Sequence, residues 1–221
     1  IQKGYVMSKV ILFNSIKGGV GKSTLAAQFA VYLCDFGKVA VMDCDAQQTL
    51  SKWAIRREDS NGKFQRKVSI LSPDLADKYA LKAFDFIIVD SAGVDSQIGR
   101  EMLLNADYVV SPLQPSQADL DTIFDHDDII RKAKAINTEL KSFYLLNMCI
   151  THPKDKERLD SVEMLQSLER DKEICSNILD NAVFNRKILR TSFSEGGSCF
   201  EDKKNKAAEE VESVIKSILE V

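Results

Sequence analysis

The chain has 221 residues, 44% of them hydrophobic, and its 30 Lys and Arg against 33 Asp and Glu leave a formal net charge of −3. That length supports a full core, and the slightly acidic balance excludes a polycationic coat for nucleic acid, so any contact with DNA has to come from a local patch. No apolar run approaches the ~18 residues of a membrane span, and the five cysteines (Cys34, Cys44, Cys149, Cys175, Cys199) form no C-x-x-C pair, which argues for reduced thiols in a cytoplasmic setting.

The six residues ahead of Met7 belong to no periodic pattern and read as an upstream extension, with one domain running over 7–221. KVILFNS (9–15) reads as a buried strand and KSTLAAQFAVYLCDFG (22–37) as a helix stopped by Gly37. KVAVMD (38–43) is the next strand, QTLSKWAIRRED a helix, and KVSIL (67–71) another strand. LADKYALKAF (75–84) has helical spacing, DFIIVD (85–90) is an almost wholly apolar strand, and ADYVVSPL (106–113) follows as a strand. SQADLDTIFDHDDIIRKAKAIN (116–137) reads as one long helix, KSFYLLNMCI (141–150) as a strand and KERLDSVEMLQSLERD (156–171) as an amphipathic helix. NILDNAVF (177–184) is a late strand and NKAAEEVESVIKSILEV (205–221) a closing helix. Continuous apolar strands separated by helices imply an α/β fold, a mostly parallel twisted sheet with helices on both faces.

Between the first strand and the first helix stands SIKGGVGKST, Ser15–Thr24, with two lysines five residues apart around three glycines. Glycines let a loop turn tightly and aim several N–H groups at one anion, and the helix N-terminus adds about half a positive charge. Lys22 would reach the outer phosphates of a nucleotide, the Ser23 hydroxyl would bind Mg2+, and Thr24 would lie on the α-phosphate side. The usual G-x-x-x-x-G-K-[ST] pattern fails, because Ile16 stands where its first glycine belongs.

What Lys17-Gly18-Gly19-Val20-Gly21-Lys22-Ser23 does match is K-G-G-x-G-K-[ST], and it resembles the deviant Walker A loop of the ParA/MinD ATPases, closest to small plasmid-partition ParA proteins. The resemblance implies a P-loop ATPase using ATP and Mg2+. It gives Lys17 a role in trans, crossing to the phosphates of a partner copy's ATP, so that nucleotide state controls a homodimer. DCDAQQ resembles the family's D-x-D-P-Q segment with Ala46 in place of proline; it implies Asp45 as the residue acting on the attacking water and Asp43 as a neighbour of the Mg2+ shell. A strand-ending aspartate also caps helices, which is the plainer reading of Asp43 and Asp45. Asp90 ends a Walker B-like strand and would hold Mg2+ through water; Ser91-Ala92-Gly93 after it departs from the family's usual switch.

The resemblance continues to about residue 202. Pro112, Gln114, Pro115, Ser116 and Asp119 match a partition-ATPase segment, Asn147 stands where the family reads the adenine edge, and Arg186, Ser192, Phe193, Gly196 and Glu201 match its late motif. Arg186, Lys187 and Arg190, with Lys203, Lys204 and Lys206 beyond, form the basic stretch through which such dimers hold DNA non-specifically. The function implied is a weak ATPase, stimulated by a centromere-binding ParB/ParG-like adaptor, that partitions plasmid or other DNA from a cytoplasmic, nucleoid-associated position. Carboxysomes, chemoreceptor clusters or transferred DNA are alternative cargoes. A MinD-like membrane role is disfavoured because the closing helix carries four glutamates against one lysine over 207–221. His126 and His152 are expected to be structural or exposed, with no metal assigned.

Overall fold

The computed structural model describes residues 8–73, 82–92, 97–152, 154–201 and 204–219. Seven strands form one sheet: β1 (Lys9–Phe13), β2 (Val39–Cys44), β3 (Val68–Leu71), β4 (Phe86–Ser91), β5 (Tyr108–Leu113), β6 (Lys141–Leu146) and β7 (Asn177–Ile178). Their order is β3-β2-β4-β1-β5-β6-β7 and every described pairing is parallel. β1 and β4 are central, so both faces must be covered, and their apolar runs alternate between two cores. Ile11, Phe13, Val41 and Ile88 pack under α1 (Lys22–Leu33), α2 (Thr49–Glu58) and α8 (Lys206–Ile218). Leu12, Met42, Ile87 and Val89 pack under α3 (Gln97–Asn105) and α5 (Ile123–Lys134) on the other face. α6 (Lys156–Arg170) extends that second layer through Leu165 and Leu168 against Tyr144 and Leu146. α4 (Gln117–Leu120) and α7 (Lys187–Ser194) complete the helices among the described residues.

Several elements differ from expectation, among them β6, which ends at Leu146 short of the expected 150. The single helix expected over 116–137 is broken at Asp121–Thr122, where the Thr122 hydroxyl takes the Asp119 carbonyl at 2.7 Å and competes with the helical ladder. The late strand shrinks to Asn177–Ile178 plus a lone Cys149–Phe184 bridge, because β7 is an edge with only β6 beside it. Helices α3 and α7 had no counterpart in the periodicity. The helix expected over 75–84 falls mostly outside the described residues, as do the leading extension, Gly93 and Lys203.

α8 buries Ala207, Val211, Val214, Ile215 and Ile218, so its apolar face belongs to the core and is not offered to a lipid surface. Among the described residues no helix is long and apolar enough to cross a membrane. A polar joint ties α2 to the late motif: Trp53 Nε1 donates to the Gly197 carbonyl at 2.9 Å, and Arg57 pairs with Glu201 at 2.7 Å.

Candidate nucleotide-binding site

The carboxyl ends of β1, β2 and β4 converge where β1 turns into α1. Gly19 and Gly21 take left-handed backbone, φ 76° and 91°, which glycine alone adopts freely. Gly21 has a second constraint: a Cβ there would lie 2.4 Å from the Asn147 amide nitrogen. It caps α1 without a side-chain hydrogen bond, and no acidic residue occupies the first turn, so the leading N–H groups of the helix are left for an anion.

Lys22 is buried, 8% exposed, with its ammonium on the Ser15 hydroxyl at 3.0 Å and the Lys17 carbonyl at 3.1 Å. Burial pulls its pKa below the ordinary lysine value, against the raising charges of Asp90 and Asp45. Both present partners are neutral oxygens, weaker acceptors than a phosphate. Lys17 is half-buried, and among the described residues its ammonium makes no hydrogen bond or ion pair.

The carboxylates differ in what already holds them. Asp43 and Asp90 are register partners on β2 and β4. Asp43 accepts from the Asp45 N–H at 3.0 Å and from the Ser51 N–H in the first turn of α2 at 2.8 Å, so the capping role is real. Asp45 is half-buried and accepts from the Gln47 N–H at 2.8 Å. Asp90 is 1% exposed and neither carboxylate oxygen has a hydrogen-bond partner. Burial raises its pKa to about 7; the neighbouring Ser23 hydroxyl and Lys22 oppose the shift while Asp43 and Asp45 add to it. An orphaned buried carboxylate beside the Ser23 hydroxyl is the donor set that a hard cation fits. Among the described residues no three His, Cys, Asp or Glu side chains gather as a metal cage, so Mg2+ here would lean on Ser23, on Asp90 through water, and on the nucleotide's own oxygens.

Beyond the loop, Gly21, Thr24, Asn147, Met148, Arg186 and Arg190 line a narrow cleft of about 40 Å³. Asn147 is 4% exposed and donates from Nδ2 to the Val20 carbonyl at 2.7 Å, so it braces the phosphate loop as well as lining this cleft. Gln114 also touches the loop, Nε2 to the Gly19 carbonyl at 3.4 Å, while Ser116 caps α4 by accepting from the Asp119 N–H.

The basic triplet is not one patch. Arg186 donates from Nε and Nη2 to Glu210 Oε1 at 2.9 and 2.6 Å, which neutralises it, whereas Lys187 and Arg190 are exposed on α7. His152 is exposed and His126 buried, with no metal cluster around either among the described residues. Sequence reasoning missed Ser15, which lies inside the quoted loop and carries a hydroxyl. It also missed Glu210 and Arg57, which reveal themselves only as partners of residues far away in sequence.

The family model described as the CobQ/CobB/MinD/ParA nucleotide binding domain matches residues 11–193. The chain is 26% identical over 213 residues to the maintenance of carboxysome distribution protein A of Halothiobacillus neapolitanus, covering 93% of this chain and 94% of that one. Among solved structures, the ATP complex of Cyanothece McdA superposes with a TM-score of 0.74 at 14% identity over 96% of each chain. A plasmid partition protein from Borrelia burgdorferi gives 0.68 at 19% identity over 95% of this chain and 97% of that one.

Proposed function

This chain belongs to the CobQ/CobB/MinD/ParA nucleotide-binding family, and on that premise we propose that it is a positioning ATPase that pairs with a second copy when ATP and Mg2+ are bound. The observation that carries the reading is the contrast between the two lysines of the loop. Lys22 is held inside the cradle, while the Lys17 ammonium has no partner among the described residues. A cation kept at the mouth of an anion site without a counter-charge finds one when the phosphates of a second copy's nucleotide arrive, and it then stabilises both the pair and the charge that develops on transfer.

Bound Mg2+ would neutralise phosphate charge between Ser23 and Asp90. Gly18, Gly19, Val20, Gly21 and Thr24 present backbone and hydroxyl donors to the phosphates, Lys22 neutralises the outer ones, and Asp45 holds the attacking water. Asn147 keeps the loop's position relative to the cleft beyond it. The exposed Lys187 and Arg190 are duplicated in the pair, so binding to duplex phosphates is non-specific, salt-sensitive and dependent on ATP. Intrinsic turnover is slow and rises when an adaptor of the centromere-binding kind supplies a further cation. Residues 7–221 act as one unit at the nucleoid in the cytoplasm, and the cargo is plasmid DNA. A second reading differs only in cargo: the near full-length similarity to a carboxysome distribution protein favours a protein compartment in its place.

Light scattering with AMPPNP and Mg2+, together with retention of non-specific duplex DNA at low salt, tests this. The expected outcome is a doubled mass and retained DNA for the parent, and a single-copy mass with no retention for Lys17→Ala. A parent that stays single with nucleotide bound overturns the pairing; one that pairs yet ignores DNA overturns the DNA-bound step alone.

A further inference from the structure

On the face of the sheet away from α1 runs a buried polar chain that none of the steps above uses. Tyr144 on β6, His126 on α5, Asn14 just past β1 and Ser91 at the end of β4 are 0, 2, 0 and 0% exposed. Asn14 donates from Nδ2 to Ser91 Oγ at 2.8 Å, and Ser91 donates to the Phe13 carbonyl at 3.0 Å. Asn14 therefore turns its Oδ1 toward His126 Nε2, 3.0 Å away, and that nitrogen carries the imidazole proton. His126 Nδ1 is left as an acceptor facing the Tyr144 hydroxyl at 3.2 Å, whose single proton is divided between that nitrogen and the Ile123 carbonyl, to which the hydroxyl donates at 3.3 Å. From His126 through Asn14 to Ser91 every donor points the same way, so each bond polarises the next. A neutral ring is what this requires, and burial supplies it by lowering the His126 pKa to about 4.

The chain ends at informative places. Ser91 follows Asp90, and Asn14 precedes Ser15, whose hydroxyl receives the Lys22 ammonium. Side chains alternate along a strand, so a strand end anchored on the rear face fixes the residue beside it on the front. Asp90 needs such an anchor, since its oxygens make no hydrogen bond of full geometry and only the neighbouring Ser23 hydroxyl acts on them as a donor.

We propose that His126 is a positioning residue: through Asn14 and Ser91 it sets the separation between the start of the phosphate loop and the carboxylate end of β4, and thereby the rate of turnover more than the affinity for nucleotide. Its kinetic half rests on the ATPase reading; its structural half concerns the chain alone. His126→Leu cuts the chain, whereas His126→Gln keeps a donor where Nε2 stood.

Amide hydrogen exchange without nucleotide reads the structural half. His126→Leu speeds exchange at residues 12–16 and 88–92 by about tenfold or more, and His126→Gln returns it to within about twofold of the parent, with β2 and β6 unmoved in both. In steady-state ATP hydrolysis His126→Leu lowers kcat by about tenfold, with KM within about twofold of the parent, and His126→Gln recovers most of the loss. Should His126→Leu fail to fold, Ser91→Ala removes one hydroxyl from the far end of the chain and is expected to give the same pattern. Unchanged exchange at the two strand ends overturns the proposal. So does acceleration spread evenly over the sheet, or kcat and KM moving together without recovery in His126→Gln. If the parent hydrolyses no ATP while exchange responds as stated, the ATPase reading fails and the positioning role stands.

Discussion

The phosphate cradle between β1 and α1 and the joint between α2 and residues 193–201 are both dense with polar groups, and they treat them in opposite ways. At the joint every nitrogen of the guanidinium is engaged: Arg57 donates from Nε to the Arg66 carbonyl at 2.9 Å, from Nη1 to the Gly196 carbonyl at 3.1 Å and from Nη2 to Glu201 at 2.7 Å. Its flat face lies over Phe64, 4.7 Å from the ring centre. In the cradle both Asp90 oxygens are buried and unmet, Lys17 is unengaged among the described residues, and α1 begins without a side-chain cap. Each unmet buried group costs roughly 1–3 kcal/mol. Groups left unmet together at one strand end are groups awaiting a ligand, while the satisfied joint serves the fold. The two regions match different motifs of one family, and the hydrogen-bond inventory is what separates function from architecture.

Asp90→Asn tests the contrast most severely. Under the proposed role of Asp90 beside Mg2+, turnover should fall by about 100-fold or more, because that carboxylate loses its charge. The fold should gain. Asp90 has its pKa raised to about 7, well above the unfolded carboxylate, so its contribution to stability is present below about pH 4 and lost as pH rises toward 7. Removing the charge recovers on the order of 4 kcal/mol at pH 8. Urea unfolding at pH 8 beside an ATPase assay checks both. A less stable Asp90→Asn protein would mean that the carboxylate belongs to the architecture after all.

Gly196→Ala makes the converse test at the joint. Gly196 has φ 79°, and an added Cβ would lie 2.5 Å from the Arg57 nitrogen and 2.7 Å from the Arg56 carbonyl carbon, both backbone. Neither can swing aside, so the expected loss is about 3 kcal/mol. Nucleotide affinity of the folded fraction should be unchanged. Gly18→Ala is the control from the cradle: its Cβ meets nothing within 4 Å and its φ is not left-handed, so stability should stay within about 0.5 kcal/mol of the parent. Thermal melts together with binding of a fluorescent nucleotide separate the two.

What could be read from the chain beforehand follows the same division. β1, β2 and β4 were legible because a strand buried on both faces is a continuous apolar run, and the order of glycine loop, Asp43 and Asp90 located the cradle. The break before α5 was not, because it depends on one hydroxyl taking one carbonyl. Neither was α7, whose apolar face of Ile188, Leu189 and Phe193 sits on a helix of only eight residues, too short a run for a periodicity to declare itself. Gly196 and Glu201 were visible as motif positions, but their reason, Arg57, lies 139 and 144 residues away along the chain. Arg186 was legible as a charge, and its neutralisation by Glu210, 24 residues on, was not. Patterns local in sequence announce elements; partnerships across the sheet decide what the side chains in them are for.

The smallest expected effect is a pH slope that the parent hides. His126 is neutral in the fold, its pKa lowered to about 4 by burial, with Asp127 raising it and Lys22 lowering it further. The unfolded imidazole titrates near 6.5, so as pH falls from about 6.5 to 4 the unfolded chain takes up a proton that the fold refuses, and stability drops by on the order of 3 kcal/mol. Asp90 works in the opposite direction across nearly the same window: its folded carboxyl takes up a proton before the unfolded one does, and stability rises as pH falls. The two slopes therefore offset each other in the parent, and urea unfolding between pH 4.5 and pH 7 should change little through this pair. Asp90→Asn removes one arm and should unmask a loss of stability toward acid; adding His126→Gln to it should flatten the curve again. A parent already steep toward acid, with Asp90→Asn no steeper, would mean that the two buried groups on opposite sides of the same strand ends do not balance, and that the orphaned carboxylate is less costly to the fold than its burial implies.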